Sequence, residues 1–174
     1  TGSVNAALVP YWLHWLAQAY PNLETSVLVT RTAEQFVTIP ALSALVTGDV
    51  WRDTWDEPKL PKSPHIELVQ RSDCFAVFPA TLHTTMRLAQ GSCESPALMS
   101  LQLTRSPVVI APSFPGTNEI IEHHKLLLSQ RPNVAFSRTV PAFSVGQRAW
   151  GGETGFFLPL VLEKLEELLG TGSE

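Results

Sequence analysis

The chain has 174 residues, 44% of them hydrophobic and 16% charged, the composition of a chain that folds. A net charge of −4 and a pI near 5.7 give no basic face for nucleic acid, whose phosphates demand one. Two cysteines, Cys74 and Cys93, are too few for a disulfide framework and fit a reducing, cytoplasmic setting.

No Cys or His pair has the spacing of a zinc site, and the neighbours His123 and His124 do not share a helix face. No metal is expected. No apolar stretch is long enough to span a membrane, and no basic segment opens a signal peptide. Thr1-Gly2-Ser3 reads as the turn between a strand and a helix, so a first strand is expected upstream of it.

In chain order, Leu8, Trp12, Trp15, Leu16 and Ala19 have helical spacing over residues 4–20, with Pro10 in the first turns, where proline is tolerated. Thr25 to Val29 is a short β-rich run. A second helix is expected from Thr32, carrying Ala33, Phe36 and Val37 inward, and a further helical piece from Pro40 to Val46 ends at Gly48. Residues 51–64 are charged and proline-rich and read as loop, with Trp51 and Trp55 exposed. His65 to Gln70 is short and amphipathic.

Cys74 to Phe78 and Pro107 to Ala111 are continuous apolar runs, the signature of buried parallel strands. Helices are expected over Thr81 to Gln90 and Glu119 to Ser129, and a short strand over Asn133 to Phe136. Residues 139–155, rich in Gly, Ser and aromatics, read as a mobile loop. Residues 158–169 put Leu158, Val161, Leu162, Leu165, Leu168 and Leu169 on one face of a closing helix. Strands alternating with helices predict an α/β fold: a parallel sheet with helices on both faces, as one domain over 1–174.

In such a sheet, ligands bind where strands end. Four loops qualify: Gly2-Ser3-Val4-Asn5, Thr30-Arg31-Thr32, Pro79 to Thr85, and Pro112 to Gly116. Three are hydroxyl-rich and open a helix, where free N–H groups and the dipole favour an anion. Plain N-capping explains any one of them. Three at one sheet edge point to a phosphate-bearing ligand. No GxGxxG, P-loop or GxSxG pattern is present.

Together these loops resemble the homo-oligomeric flavin-containing cysteine decarboxylases, over nearly the whole chain. Gly2-Ser3-Val4-Asn5-Ala6 resembles the first flavin loop, with Ser3 and Asn5 similar to the lanthipeptide branch. Thr30-Arg31-Thr32-Ala33-Glu34-Gln35-Phe36 resembles the second. Pro64-His65-Ile66 resembles the segment that carries the family's active-site histidine, and Pro79-Ala80-Thr81-Leu82-His83-Thr84 resembles the PASANT motif. Two departures stand out. The asparagine of PASANT falls at His83. The substrate motif PxMNxxMW falls on Pro112 to Glu119, with its carboxylate-binding asparagine at Pro115 and Asn118 as a substitute one turn on.

The resemblance implies a flavodoxin-like three-layer sandwich that binds FMN, with FAD as the alternative. It places the cofactor on Gly2, Ser3, Asn5, Thr30, Thr32, Phe36, Pro79, Ala80, Thr81, His83 and Thr84. It makes His65 the acid/base and puts substrate on Pro112, Ser113, Phe114, Pro115, Asn118 and Phe143. It also implies trimers that assemble into dodecamers, with Trp51 and Trp55 equally suited to subunit contacts or to packing on their own subunit. The implied reaction passes a hydride from the cysteine β-carbon to the flavin, and the thioaldehyde then loses the carboxylate as carbon dioxide.

Relatives that serve the coenzyme A pathway reduce the product again with a flap cysteine. Here Pro141 to Gly152 contains none, so the product stays an enethiol, which favours a precursor peptide with a C-terminal cysteine, on the way to an aminovinyl-cysteine ring. The 139–155 segment would be the substrate flap. A phosphopantothenoylcysteine decarboxylase, a non-catalytic flavin-binding regulator and a flavin prenyltransferase of similar fold are the competing readings.

Overall fold

The computed structural model describes residues 1–57, 63–144 and 148–171. A 3-10 turn over Val4–Leu8 runs into α1 (Val9–Ala19), with Pro10 in its first turn as expected. Then come β1 (Val27–Val29), α2 (Ile39–Ser43), β2 (Val50–Arg52), α3 (Pro64–Arg71), β3 (Phe75–Thr81), α4 (Leu82–Ala89), α5 (Pro96–Leu103), β4 (Val108–Ser113), α6 (Glu119–Ser129) and β5 (Val134–Phe136). A hairpin of β6 (Val140–Ser144) and β7 (Ala149–Thr154) leads to α7 (Leu158–Thr171).

β3, β4 and β5 form one parallel ladder, with Phe75 opposite Val108 and Val108 opposite Val134; β1 and β2 form a second, with Val27 opposite Val50. The central strand β4 shows why helices lie on both faces. Successive side chains of a strand point to opposite sides. Val108 and Ile110 pack with Leu88 of α4, Leu98 and Leu101 of α5 and Leu128 of α6. Val109 and Ala111 pack with Leu16 of α1 and Leu158, Val161 and Leu165 of α7. All four β4 residues are fully buried, so the run is continuously apolar rather than alternating. The α/β architecture expected from the sequence is the one observed.

Several local expectations change. Residues 32–37 make only a 3-10 turn, Ala33–Gln35, and Phe36 follows it 39% exposed, not inward. Ile39 and Pro40, in the first turn of α2, start a new helix that Thr38 caps through Ala41 N–H. Trp51 is not on an exposed loop: it is 5% exposed within β2. α5, with no counterpart in the sequence reading, is apolar on all sides, so it shows no helical stripe. Ser95 caps it through Leu98 N–H, with Pro96 at its first position. Residues 140–154 pair as an antiparallel hairpin, with Val145 to Gln147 outside the described residues. Among the described residues no strand precedes Val27, and no helix is long and apolar enough to cross a membrane.

Candidate active site

Segment 1–5 is the hub of the sheet's C-terminal edge. The Thr1 hydroxyl donates to the Pro79 carbonyl at 2.6 Å and accepts from Thr81 N–H at 2.9 Å. The Asn5 amide donates to the Ser113 hydroxyl at 3.0 Å. A Cβ on Gly2 would stand 2.4 Å from the Thr32 Cβ, so only glycine lets this segment lie against the loop after β1. Segment 1–5 therefore touches the ends of β1, β3 and β4 together.

Two side-chain atoms in this edge are buried with no hydrogen-bond partner among the described residues: Ser3 Oγ and Thr30 Oγ1. Burying a hydroxyl without a partner costs about 1–3 kcal/mol, so native structures rarely leave one unpaired without a reason. Two within one set of strand-end loops are what an anion cradle requires. The third loop is different. Thr81 caps α4 through Thr84 N–H at 3.3 Å, and its hydroxyl lies 3.1 Å from that of Thr84. Plain N-capping accounts for these two hydroxyls. Pro79 and Ala80 are buried within β3, and His83 is exposed on the first turn of α4. Phe36 lies beyond Thr32 at the surface.

The segment after β4 is held from behind. The Pro112 carbonyl accepts from Gly155 N–H at 2.6 Å and from the Thr154 hydroxyl at 3.3 Å. A Cβ on Gly155 would lie 2.3 Å from Pro112 Cδ, so the base of the hairpin presses onto this proline. Phe114 is half-buried and Pro115 exposed. Asn118 Oδ1 caps α6, accepting from Ile121 N–H at 2.9 Å, a bond that leaves the amide Nδ2 out. On the hairpin, Phe143 pairs edge-on with Trp150 at 5.8 Å between ring centres.

His65 stands in the first turn of α3, behind Pro64. The contacts found for it run to the segment after β2, not to the hydroxyl cradle. Trp55 meets its ring edge-on at 6.0 Å, and His65 Nδ1 is buried with no partner among the described residues. Trp55, offered by the sequence for subunit contacts or internal packing, is the neighbour of His65, and Asp53, two residues before it, lies in the same stretch read as loop. Burial pushes the Asp53 carboxyl up, opposed by Ala97 N–H and the Ser95 hydroxyl. Burial likewise raises the Cys74 thiol, with Asp73 adding to it, as for a core residue and not a reactive one. Among the described residues no cluster of His, Cys, Asp or Glu is fit to hold a metal.

The profile of the Flavoprotein family matches residues 1–139. A cypemycin cysteine dehydrogenase (decarboxylating) from a Streptomyces species is 50% identical over 159 residues, covering 91% of this chain and 83% of its own. The chain belongs to the Flavoprotein family, in its cysteine-decarboxylase branch. The crystal structure of the cypemycin decarboxylase CypD superposes on this flavoprotein with a TM-score of 0.87 at 45% identity, over 99% of this chain and 92% of that one. A variant of EpiD complexed with the substrate peptide DSYTC shares the fold at TM-score 0.72 and 18% identity, over 94% and 93%. The cofactor of this flavoprotein is a flavin. The Ser3 and Thr30 hydroxyls, unpartnered among the described residues, fit the phosphate of such a group.

Proposed function

We propose that this enzyme oxidatively decarboxylates the C-terminal cysteine of a precursor peptide, leaving an aminoenethiol. The observation that carries this reading is the pair of buried, unpartnered hydroxyls on Ser3 and Thr30, at an edge that also gathers Asn5 and Ser113. One phosphate satisfies two such hydroxyls, which favours FMN. Gly2, Asn5, Thr32, Pro79, Ala80, Thr81, His83, Thr84 and Phe36 complete the proposed flavin-facing loops.

A flavin held on these loops would supply the two-electron oxidation of the cysteine that accompanies loss of carbon dioxide. The chain supplies the rest. His65 takes the proton from the substrate Sγ; an imidazole does this near neutral pH, and Nδ1 has no competing partner among the described residues. With Pro115 where the family motif has asparagine, the Asn118 Nδ2, which the cap does not use, and the Ser113 hydroxyl are the donors proposed to hold the substrate carboxylate. Pro112, Phe114 and Pro115 floor this subsite. The 139–155 hairpin, anchored on the Pro112 carbonyl, acts as the flap, with Phe143 over the peptide. Residues 139–155 contain no cysteine, so nothing on the flap returns hydrogen to the product. We place the enzyme in the cytoplasm, as trimers assembled into dodecamers.

The test is a mass assay on peptides ending in cysteine, with the purified yellow holoenzyme. Loss of carbon dioxide plus two hydrogens is expected. An unchanged mass with flavin bound would reject the reading. The mass of the released cofactor decides FMN against FAD, and light scattering decides the assembly.

A further inference from the structure

We infer that Trp55 is a positioning residue that fixes the ring orientation of His65. The inference rests on the proposed acid/base role of His65 and concerns how that role is prepared.

A histidine that handles protons normally has one ring nitrogen tied to a carbonyl or carboxylate, which sets both tautomer and rotation. Among the described residues His65 lacks that tie at Nδ1, which is buried and unpartnered. Rotation of an imidazole about its last torsion is broad and two-fold, so without a hydrogen bond only packing can select an orientation. The ring packed against His65 is Trp55, edge-on, with an interplanar angle of 75°.

A tryptophan 45% exposed is a poor brace unless it is anchored. Trp55 is anchored. Its indole N–H donates to the Glu94 carbonyl at 2.8 Å, in the turn between α4 and α5. The Glu94 carboxylate pairs with Arg87 in the last turn of α4. Two residues before Trp55, the Asp53 carboxylate accepts from Ala97 N–H at 2.8 Å in the first turn of α5. The short segment from Asp53 to Trp55 is thus clamped at two points onto one turn. That turn closes α4, whose N-terminus opens from the Pro79–Thr84 loop. A path of direct contacts runs from α4 through Arg87, Glu94 and Trp55 to His65.

The experiment compares Trp55→Ala, Trp55→Phe and His65→Asn as flavin-loaded holoenzymes with 13Cε1-labelled histidine. His65→Asn assigns the His65 resonance by its disappearance. If Trp55 positions the ring, Trp55→Ala shifts that resonance and its titration midpoint, and moves the same midpoint in the pH profile of kcat. It lowers kcat by about tenfold to a hundredfold, as misplacement of a reacting group does, with KM for the peptide and flavin content held. Trp55→Phe, which keeps a ring against His65 but loses the indole N–H, lies between Trp55→Ala and the parent. An unmoved resonance and pH profile in Trp55→Ala overturn the proposal and make Trp55 a packing or subunit-contact residue. Loss of flavin or of fold in Trp55→Ala moves the decision to Trp55→Phe, where an unmoved resonance has the same meaning. Full turnover in His65→Asn would instead reject the acid/base role, and the resonance shift would still decide what Trp55 does.

Discussion

The strand-end loops and the β6–β7 hairpin both border the proposed substrate, and they are built in opposite ways. At the strand ends the polar atoms are buried and the backbone is locked: Gly2 lies against Thr32, Thr1 bridges Pro79 and Thr81, and Asn5 reaches Ser113. On the hairpin the aromatic groups are exposed, Phe143 by 49% and Trp150 by 74%, and they touch each other. Burial is what fixes a segment, because each buried contact must be given up for the segment to move. A group that must be held in one place is served by the first construction. A cover that must admit and release a peptide is served by the second. The base of the hairpin, at Thr154 and Gly155, is tied to the sheet through the Pro112 carbonyl.

The sharpest way to break this contrast is at Gly2. Gly2→Val forces a branched side chain into Thr32, including its backbone carbon at 3.0 Å from the first added atom. The protein is expected to purify colourless, with the flavin absorbance lost, whereas Gly151→Ala on the hairpin, where a Cβ meets nothing, leaves the absorbance unchanged. Next come the cradle hydroxyls. Ser3→Ala and Thr30→Ala each remove a donor proposed to meet the flavin phosphate, worth about 1.5–3 kcal/mol, so flavin should bind about ten- to a hundredfold more weakly in a titration of the stripped protein. Smaller still, Phe143→Ser should raise KM for the peptide about tenfold and leave flavin affinity and Tm within error, since the side chain is exposed on the hairpin. A fall in Tm of several degrees would place the hairpin with the rigid region.

The same contrast explains what the sequence made legible. The buried strands Phe75–Thr81 and Val108–Ser113 announce themselves as apolar runs, and α7 as a periodic stripe, because burial on one or both faces leaves a pattern. α5 left none, being apolar on every side, and β2 was hidden by the charged residues that follow Trp51. The hydroxyl loops were visible as types in sequence. Which hydroxyls are free was not: Thr81 and Thr84 are spent on a cap while Ser3 and Thr30 are unspent, and only tertiary contacts separate the two cases. Asn118 is the same lesson in part, a proposed ligand whose Oδ1 is spent on an N-cap. The Trp55–His65 pairing was beyond reach, because the turn that fixes it lies about forty residues downstream at Glu94.

The smallest predicted effect tests whether the rigid side includes the turn behind Trp55. The Asp53 carboxyl is pushed above the usual carboxylate range, chiefly by burial. A group whose pKa is raised in the folded state binds its proton more tightly there than in the unfolded chain. Its contribution to stability is therefore complete below the ordinary aspartate pKa and is lost as pH rises through the raised value. Asp53→Asn keeps an oxygen for Ala97 N–H and removes the charge. The variant should lose that segment of pH dependence: its denaturant midpoint should be flatter than the parent's across the mildly acidic range and equal to or above it at neutral pH. Glu153 on the exposed hairpin is the control, and Glu153→Gln should leave the parent's pH curve in place. Parallel curves for the parent and Asp53→Asn would show that water reaches Asp53, and that the clamp on Trp55 belongs with the mobile side of the molecule.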